Sequence, residues 1–178
     1  MTFLLLLAAP AVLAKENTAP LVWPKPVSAT AGSSDHPISF SNFSFIVPDE
    51  HGDDLLAKAA GRYTAIIAAD GAAVAPHQAQ VPYPITVTVA DMTVPLSPGP
   101  EMNESYTLEV KTAGCALAAP TVWGALRGME TLAQLVKRGS DGGYELSEVS
   151  ISDQPRFGWV RRSPLISFPP DCLTPTHI

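Results

Sequence analysis

Side chains able to do chemistry are thinly spread along this chain of 178 residues. Carboxylates stand at Asp53-Asp54 and Asp153, imidazoles at His36, His51, His77 and His177, and indoles at Trp23, Trp123 and Trp159. General acid–base work needs such groups brought together, but helix capping explains Asp53-Asp54 and a turn explains Asp153 with fewer assumptions. The histidines have no ligand spacing and no His-Glu-x-x-His occurs, so neither a metal nor any other cofactor is expected. No Gly-x-Ser-x-Gly elbow marks a nucleophilic serine. An indole can stack on a sugar ring, yet Trp123 falls in a helix that must pack, which leaves Trp159 as the binding candidate.

The elements that must position these groups follow from periodicity. In "DDLLAKAAGRYTAIIAAD", Leu55, Leu56, Ala59, Ala60, Tyr63, Ile66 and Ile67 recur at helical spacing behind Asp53 and Asp54. "TVWGALRGMETLAQLVKRG" predicts a second helix lying on a sheet. Val122, Leu126, Met129, Ala133 and Val136 form its apolar stripe, and Arg127, Glu130, Gln134, Lys137 and Arg138 take the wetter sides. Thr121 is placed to cap its start and Gly139 its end. Gly124 and Gly128, one turn apart, each weaken the helix by roughly 1 kcal/mol relative to alanine, which implies a close neighbour on that edge. Alternation marks "YPITVTVAD" and "SYTLEVKT" as half-buried, antiparallel strands. "HPISFSNFSFIVP" reads as a strand or bent hairpin, and "GGYELSEVSIS" as a strand alternating through Tyr144, Leu146 and either Val149 or Ile151.

Composition bounds the partners. A formal charge of −6 offers no basic face for nucleic acid or an anionic membrane. "MTFLLLLAAPAVLA" is uncharged and apolar, too short to span a bilayer, and ends on small residues, so residues 1–14 read as a signal peptide and 15–20 as a linker. The expected destination is the secretory pathway, with an extracellular or a lysosomal or vacuolar end point. Export makes two N-glycosylation sequons meaningful, at Asn42 and Asn103. Cys115 and Cys172 admit one disulfide or a buried thiol at Cys115, and the proline-rich setting of Cys172 favours the thiol.

Four segments carry a resemblance. Trp23-Pro24-Lys25-Pro26, Tyr106-Thr107-Leu108, "TVWGALRGMETLAQ" from Thr121 to Gln134, and Asp153-Gln154-Pro155-Arg156-Phe157 resemble, in order and spacing, the N-terminal domain of eukaryotic β-N-acetylhexosaminidases of glycoside hydrolase family 20. Residues 21–157 are covered, and "VWGALRGMETLAQL" is the specific part. The resemblance implies an α+β fold, a mostly antiparallel sheet with helices packed on one face, of the zincin-like kind that precedes a catalytic (β/α)8 barrel.

It also implies hydrolysis of terminal N-acetylhexosamine from β-hexosaminides by substrate-assisted catalysis, with a Glu as general acid/base beside an Asp that orients the acetamido oxygen. The Gly-Asp-Glu signature does not occur, and residues 158–178 form a proline-rich tail where the barrel's first strand is expected. Within "GWVRRSPLISFPPDCLTPTHI", Arg161 or Arg162 is the candidate for the sugar-gripping arginine of the family, Arg161 being preferred. The expectation is a supporting domain whose partner is the barrel of a full-length enzyme, N-acetylhexosamine glycans being met only through that barrel. The alternative is a non-catalytic secreted module that binds a glycan or an intact hexosaminidase.

Overall fold

The computed structural model describes residues 22–34, 37–48, 55–69, 82–93, 102–139 and 142–154. A six-stranded sheet is built, in spatial order, from β1 (Ser28–Ala31), β9 (Val149–Asp153), β5 (Tyr106–Lys111), β6 (Gly114–Thr121), β4 (Tyr83–Asp91) and β3 (Phe43–Ile46). A smaller sheet orders β2 (Ile38–Phe40), β8 (Tyr144–Leu146) and β7 (Lys137–Arg138). Helices α1 (Leu55–Ala69) and α2 (Val122–Leu135) complete the α+β fold. Five of the seven strand pairings among the described residues are antiparallel, so the sheet is mostly of the expected kind.

Register explains why the large sheet has one dry face. Side chains alternate across a strand, so partners in one row share a side. One row runs Ala29, Ile151, Leu108, Leu117, Val87, and the next facing the same way runs Ala31, Val149, Val110, Cys115, Ile85, Phe45. The intervening row, Thr30, Ser150, Glu109, Ala116, Thr86, is small or polar and exposed. Helix α2 lies on the apolar face across β4, β5 and β6, and α1 packs against α2. Leu108, Leu117, Met129, Leu132 and Ile151 are at most 1% exposed, and each large side chain buried this way favours folding by roughly 1.5–3 kcal/mol. Cys115 belongs to this apolar row as a free, buried cysteine, and burial pushes its thiol up to about 12.

Several expectations change. Strand β4 is parallel to both of its neighbours, β3 and β6, and does not pair with β5; α1 acts as the crossover that returns the chain in the direction of β3. The strand between β4 and β5 is β6, whose "GCALAAPT" was not predicted from sequence. Its ladder to β4 skips Pro120, which has no N–H to give. "HPISFSNFSFIVP" is no hairpin: β2 joins the small sheet and β3 the large one. "GGYELSEVSIS" likewise divides into β8 and β9 in different sheets. An aromatic cluster bridges them, with Phe40 stacked on Tyr83 at 4.7 Å and Phe43 meeting Tyr144 edge-on at 5.3 Å.

Both expected caps of α2 are corrected. Thr121 holds the N-cap position but makes no side-chain cap, because its hydroxyl donates instead to the Asn103 carbonyl. The helix stops at Leu135, not Gly139, since Lys137 and Arg138 are drawn into pairing with Glu145 and Tyr144. Its buried stripe centres on Ala125, Met129 and Leu132, with Leu126, Ala133 and Val136 only partly buried. Gly124 and Gly128 do mark close approach. A Cβ at Gly124 would meet the Ser105 carbonyl oxygen, and one at Gly128 the Leu117 side chain. On α1, Leu56, Ala59, Ala60 and Ile67 are buried while Ile66 stays exposed, and Asp53 and Asp54 lie outside the described residues.

Candidate functional site

Residues one and two turns apart on α2, Arg127, Glu130, Thr131 and Gln134, share one side of the helix. Opposite them runs the arm of residues 22–27, and the two are joined by an amide clamp. The Trp23 N–H donates to Gln134 Oε1 at 2.8 Å, and Gln134 Nε2 donates to the Trp23 carbonyl at 2.8 Å. A single side chain thus does for Trp23 what a neighbouring strand does for a ladder residue. The Trp23–Pro24 bond is cis, and the indole is 81% exposed on this fixed backbone.

Further along the arm, the Val27 N–H donates to Asp153 Oδ1 at 3.0 Å, tying the start of the domain to the end of β9. Tyr106 sits between them and α2. Its hydroxyl lies 2.6 Å from Thr131 Oγ1 and donates a longer bond of 3.5 Å to Asp153 Oδ2. Burial dominates its titration: it outweighs the Thr131 hydrogen bond, the Asp153 and Glu130 carboxylates add to it, and the phenol is pushed up to about 12. Tyr106 is therefore a neutral hydroxyl at physiological pH. Glu104, whose side chain is 12% exposed, accepts from Arg127 Nε at 2.8 Å, and Arg127 Nη1 reaches Glu130 at 3.6 Å. Together these groups line a small cleft of about 160 Å³ with Trp23 and Pro24 at its lip.

The cleft gathers pieces of all four segments that carry the sequence resemblance: Trp23, Tyr106, the Arg127–Gln134 side of α2, and Asp153. Its carboxylates are already engaged, Glu104 by Arg127 and Asp153 by Val27 and Tyr106. What this arrangement does chemically is hold residues 23–27 and the end of β9 against one helix.

Sequence-derived candidates are placed as follows. Asn42 is exposed at the corner before β3, and Asn103 is exposed ahead of β5. Arg161 and Arg162, Trp159, Cys172, all four histidines, and the segments 1–14, 15–20 and 158–178 lie outside the described residues. Trp123, expected in the core, is only partly buried. Trp23, set aside at first, lies at the site. Gln134 and Thr131 were not singled out as site residues, and their only signal was a polar repeat along α2. Among the described residues no group of three His, Cys, Asp or Glu could hold a metal ion, and no helix is long and apolar enough to cross a membrane.

Known proteins match this architecture. The family model described as beta-acetyl hexosaminidase like matches residues 22–135. Rat beta-hexosaminidase subunit alpha is 32% identical over 163 residues, covering 86% of this chain and 30% of that protein. Beta-hexosaminidase A of Caenorhabditis elegans is 31% identical over 149 residues, covering 76% of this chain and 25% of that protein. The chain thus spans less than a third of the length of these curated relatives. Among solved structures, Flavobacterium johnsoniae chitobiase superposes with a TM-score of 0.63 at 22% identity, over 82% of this chain and 22% of that one, which shows a shared fold. With its family model matched across both helices and five of the six strands of the large sheet, the chain belongs to the beta-acetyl hexosaminidase like family and contains that family's N-terminal α+β domain.

Proposed function

We propose that this chain serves a β-N-acetylhexosaminidase as its supporting domain, and that hydrolysis of terminal N-acetyl-D-hexosamine from β-hexosaminides is done by a (β/α)8 barrel packed against it. The observation that carries the reading is the meeting of the four family-like segments at one cleft beside Gln154. A catalytic centre needs carboxylates that can meet a substrate, whereas the carboxylates gathered here hold the backbone and an arginine in place.

Trp23 gives the junction an anchor. Exposed indoles are the residues that most often dominate a protein interface, and one whose backbone is already immobile loses little freedom on docking. Residues 1–14 deliver the chain to the secretory pathway in this reading, where Asn42 and Asn103 meet the glycosylation machinery.

A domain exchange tests the proposal. Residues 22–154 replace the corresponding segment of rat beta-hexosaminidase subunit alpha, and release of a chromogenic N-acetylglucosaminide is measured. An active exchange protein is expected, and Trp23→Ala in it should lower the thermal midpoint with the turnover of intact molecules unchanged. A folded, secreted exchange protein with no activity counts against the supporting role.

A further inference from the structure

At one end of the large sheet a groove opens over side chains that face away from α2. The register row Ser152, Thr107, Ala118, Thr88 lines it, all exposed and all small, so little side chain rises above the backbone there. Val27 and Pro120 add apolar surface to the lining, and the volume of about 700 Å³ falls within the roughly 300–1,000 Å³ of clefts that enclose a ligand. Val27 is 58% exposed although its N–H is bound to Asp153 Oδ1, so an apolar side chain is offered to the groove on a fixed backbone. Among the described residues that line the groove, Asp153 is the only charged one.

Gln154, exposed in the lining, is where the chain leaves β9. Pro155 follows, with no N–H to extend the β9 ladder, and it biases Gln154 toward extended backbone. The sequence then reads Arg156-Phe157-Gly158-Trp159. An extended chain advances about 3.4 Å per residue, which keeps Phe157 within roughly 10 Å of Gln154 and Trp159 within roughly 17 Å. Side chains tethered this closely meet the groove at an effective concentration of the order of millimolar. Charge favours the same encounter: residues 155–178 hold Arg156, Arg161 and Arg162 against a single Asp171, whereas the whole chain carries −6.

We propose that the groove is a docking site for the chain's own continuation, with Phe157 and Trp159 folding back onto Val27, Ala118 and Pro120. Each aromatic ring seated there takes about 150–250 Å² of surface out of water. The small residues of the row leave the room that this needs. Trp159 becomes an internal anchor and not a platform for a sugar. The inference goes beyond the supporting role and needs no barrel, since both sides of the contact belong to one chain.

The test uses the whole chain with its three tryptophans replaced by fluorotryptophan, the fluorine resonances being assigned through Trp23→Phe, Trp123→Phe and Trp159→Phe. A soluble nitroxide then broadens each indole according to its exposure. With the undocked state below about 10%, Trp159 should broaden about tenfold less than Trp23, whose indole is 81% exposed. Ala118→Lys places a long cation on the exposed lining of the groove and should raise the broadening of Trp159 to that of Trp23, with Trp23 and Trp123 unchanged as evidence of folding. Thr88→Lys should repeat the result from a neighbouring strand. Equal broadening of Trp159 and Trp23 in the parent chain overturns the proposal, as does protection that survives both lysine substitutions. Protection that disappears on dilution also overturns it, by making the occupant a second copy. The domain exchange described above carries residues 22–154 alone, so the two readings fail separately.

Discussion

Helix α2 has two sides that obey different rules. Toward the sheet it presents Gly124, Ala125, Gly128, Met129 and Leu132, all buried, against β4, β5 and β6. Toward the arm it presents Arg127, Thr131 and Gln134, joined to their partners through individual hydrogen bonds, and Glu130, which reaches Arg127 at 3.6 Å. The first side is specified by shape and holds the domain together. The second is specified by donors and acceptors and holds residues 23–27 in place. Substitutions should therefore separate stability from positioning.

The largest effect belongs to Met129→Ala on the packed side. Met129 is fully buried, and emptying such a site lowers stability by about 3 kcal/mol. Urea unfolding measures this, and a loss below about 1 kcal/mol would show that the packed side relaxes freely. Gly124→Ala should follow, at about 2 kcal/mol despite the better helix propensity of alanine, because the added carbon meets the backbone oxygen of Ser105. Gly128→Ala should be milder, since the end of the Leu117 side chain is what must move.

On the other side, Gln134→Ala removes both bonds to Trp23 and is expected to lower stability by about 1 kcal/mol. Its sharper signature is positional: the Trp23 indole resonance should narrow as the arm loosens, while Met129→Ala leaves it unchanged in the folded fraction. Loosening in both variants would mean the two sides are coupled.

Tyr106 touches both regions, and its titration gives the smallest effect. Its folded pKa lies above the unfolded value of 10.0, so the neutral phenol favours the folded state; that contribution is complete below pH 10 and is lost as pH rises through about 12. Tyr83, raised chiefly by burial, acts in the same direction. The fall of the urea midpoint above pH 10 should be shallower in Tyr106→Phe. An unchanged slope would remove the phenol from the stability account.

The packed side was the more legible of the two in the sequence. Helical spacing revealed α1 and α2, alternation revealed β4 and β5, and the paired glycines announced the close approach that Ser105 and Leu117 make. Strand β6 escaped because its small side chains and Pro120 have weak strand preference, yet it is central, paired on both sides. Pairing by neighbours, absent from any local window, made it a strand. The division of "HPISFSNFSFIVP" and "GGYELSEVSIS" between two sheets was hidden for the same reason. The cleft was still less legible. Its clamp joins residues 111 positions apart, and no spacing rule connects Trp23 with Gln134. The family-like segments were visible one by one, but their meeting needed the fold.

The most direct test of the supporting role is release of a chromogenic N-acetylglucosaminide by the purified 178-residue chain, beside a full-length beta-hexosaminidase and a mock preparation. No release above the mock is expected, because the cleft's carboxylates are committed to Arg127, Val27 and Tyr106. Release that survives further purification would contradict the supporting role and place a catalytic centre within this chain.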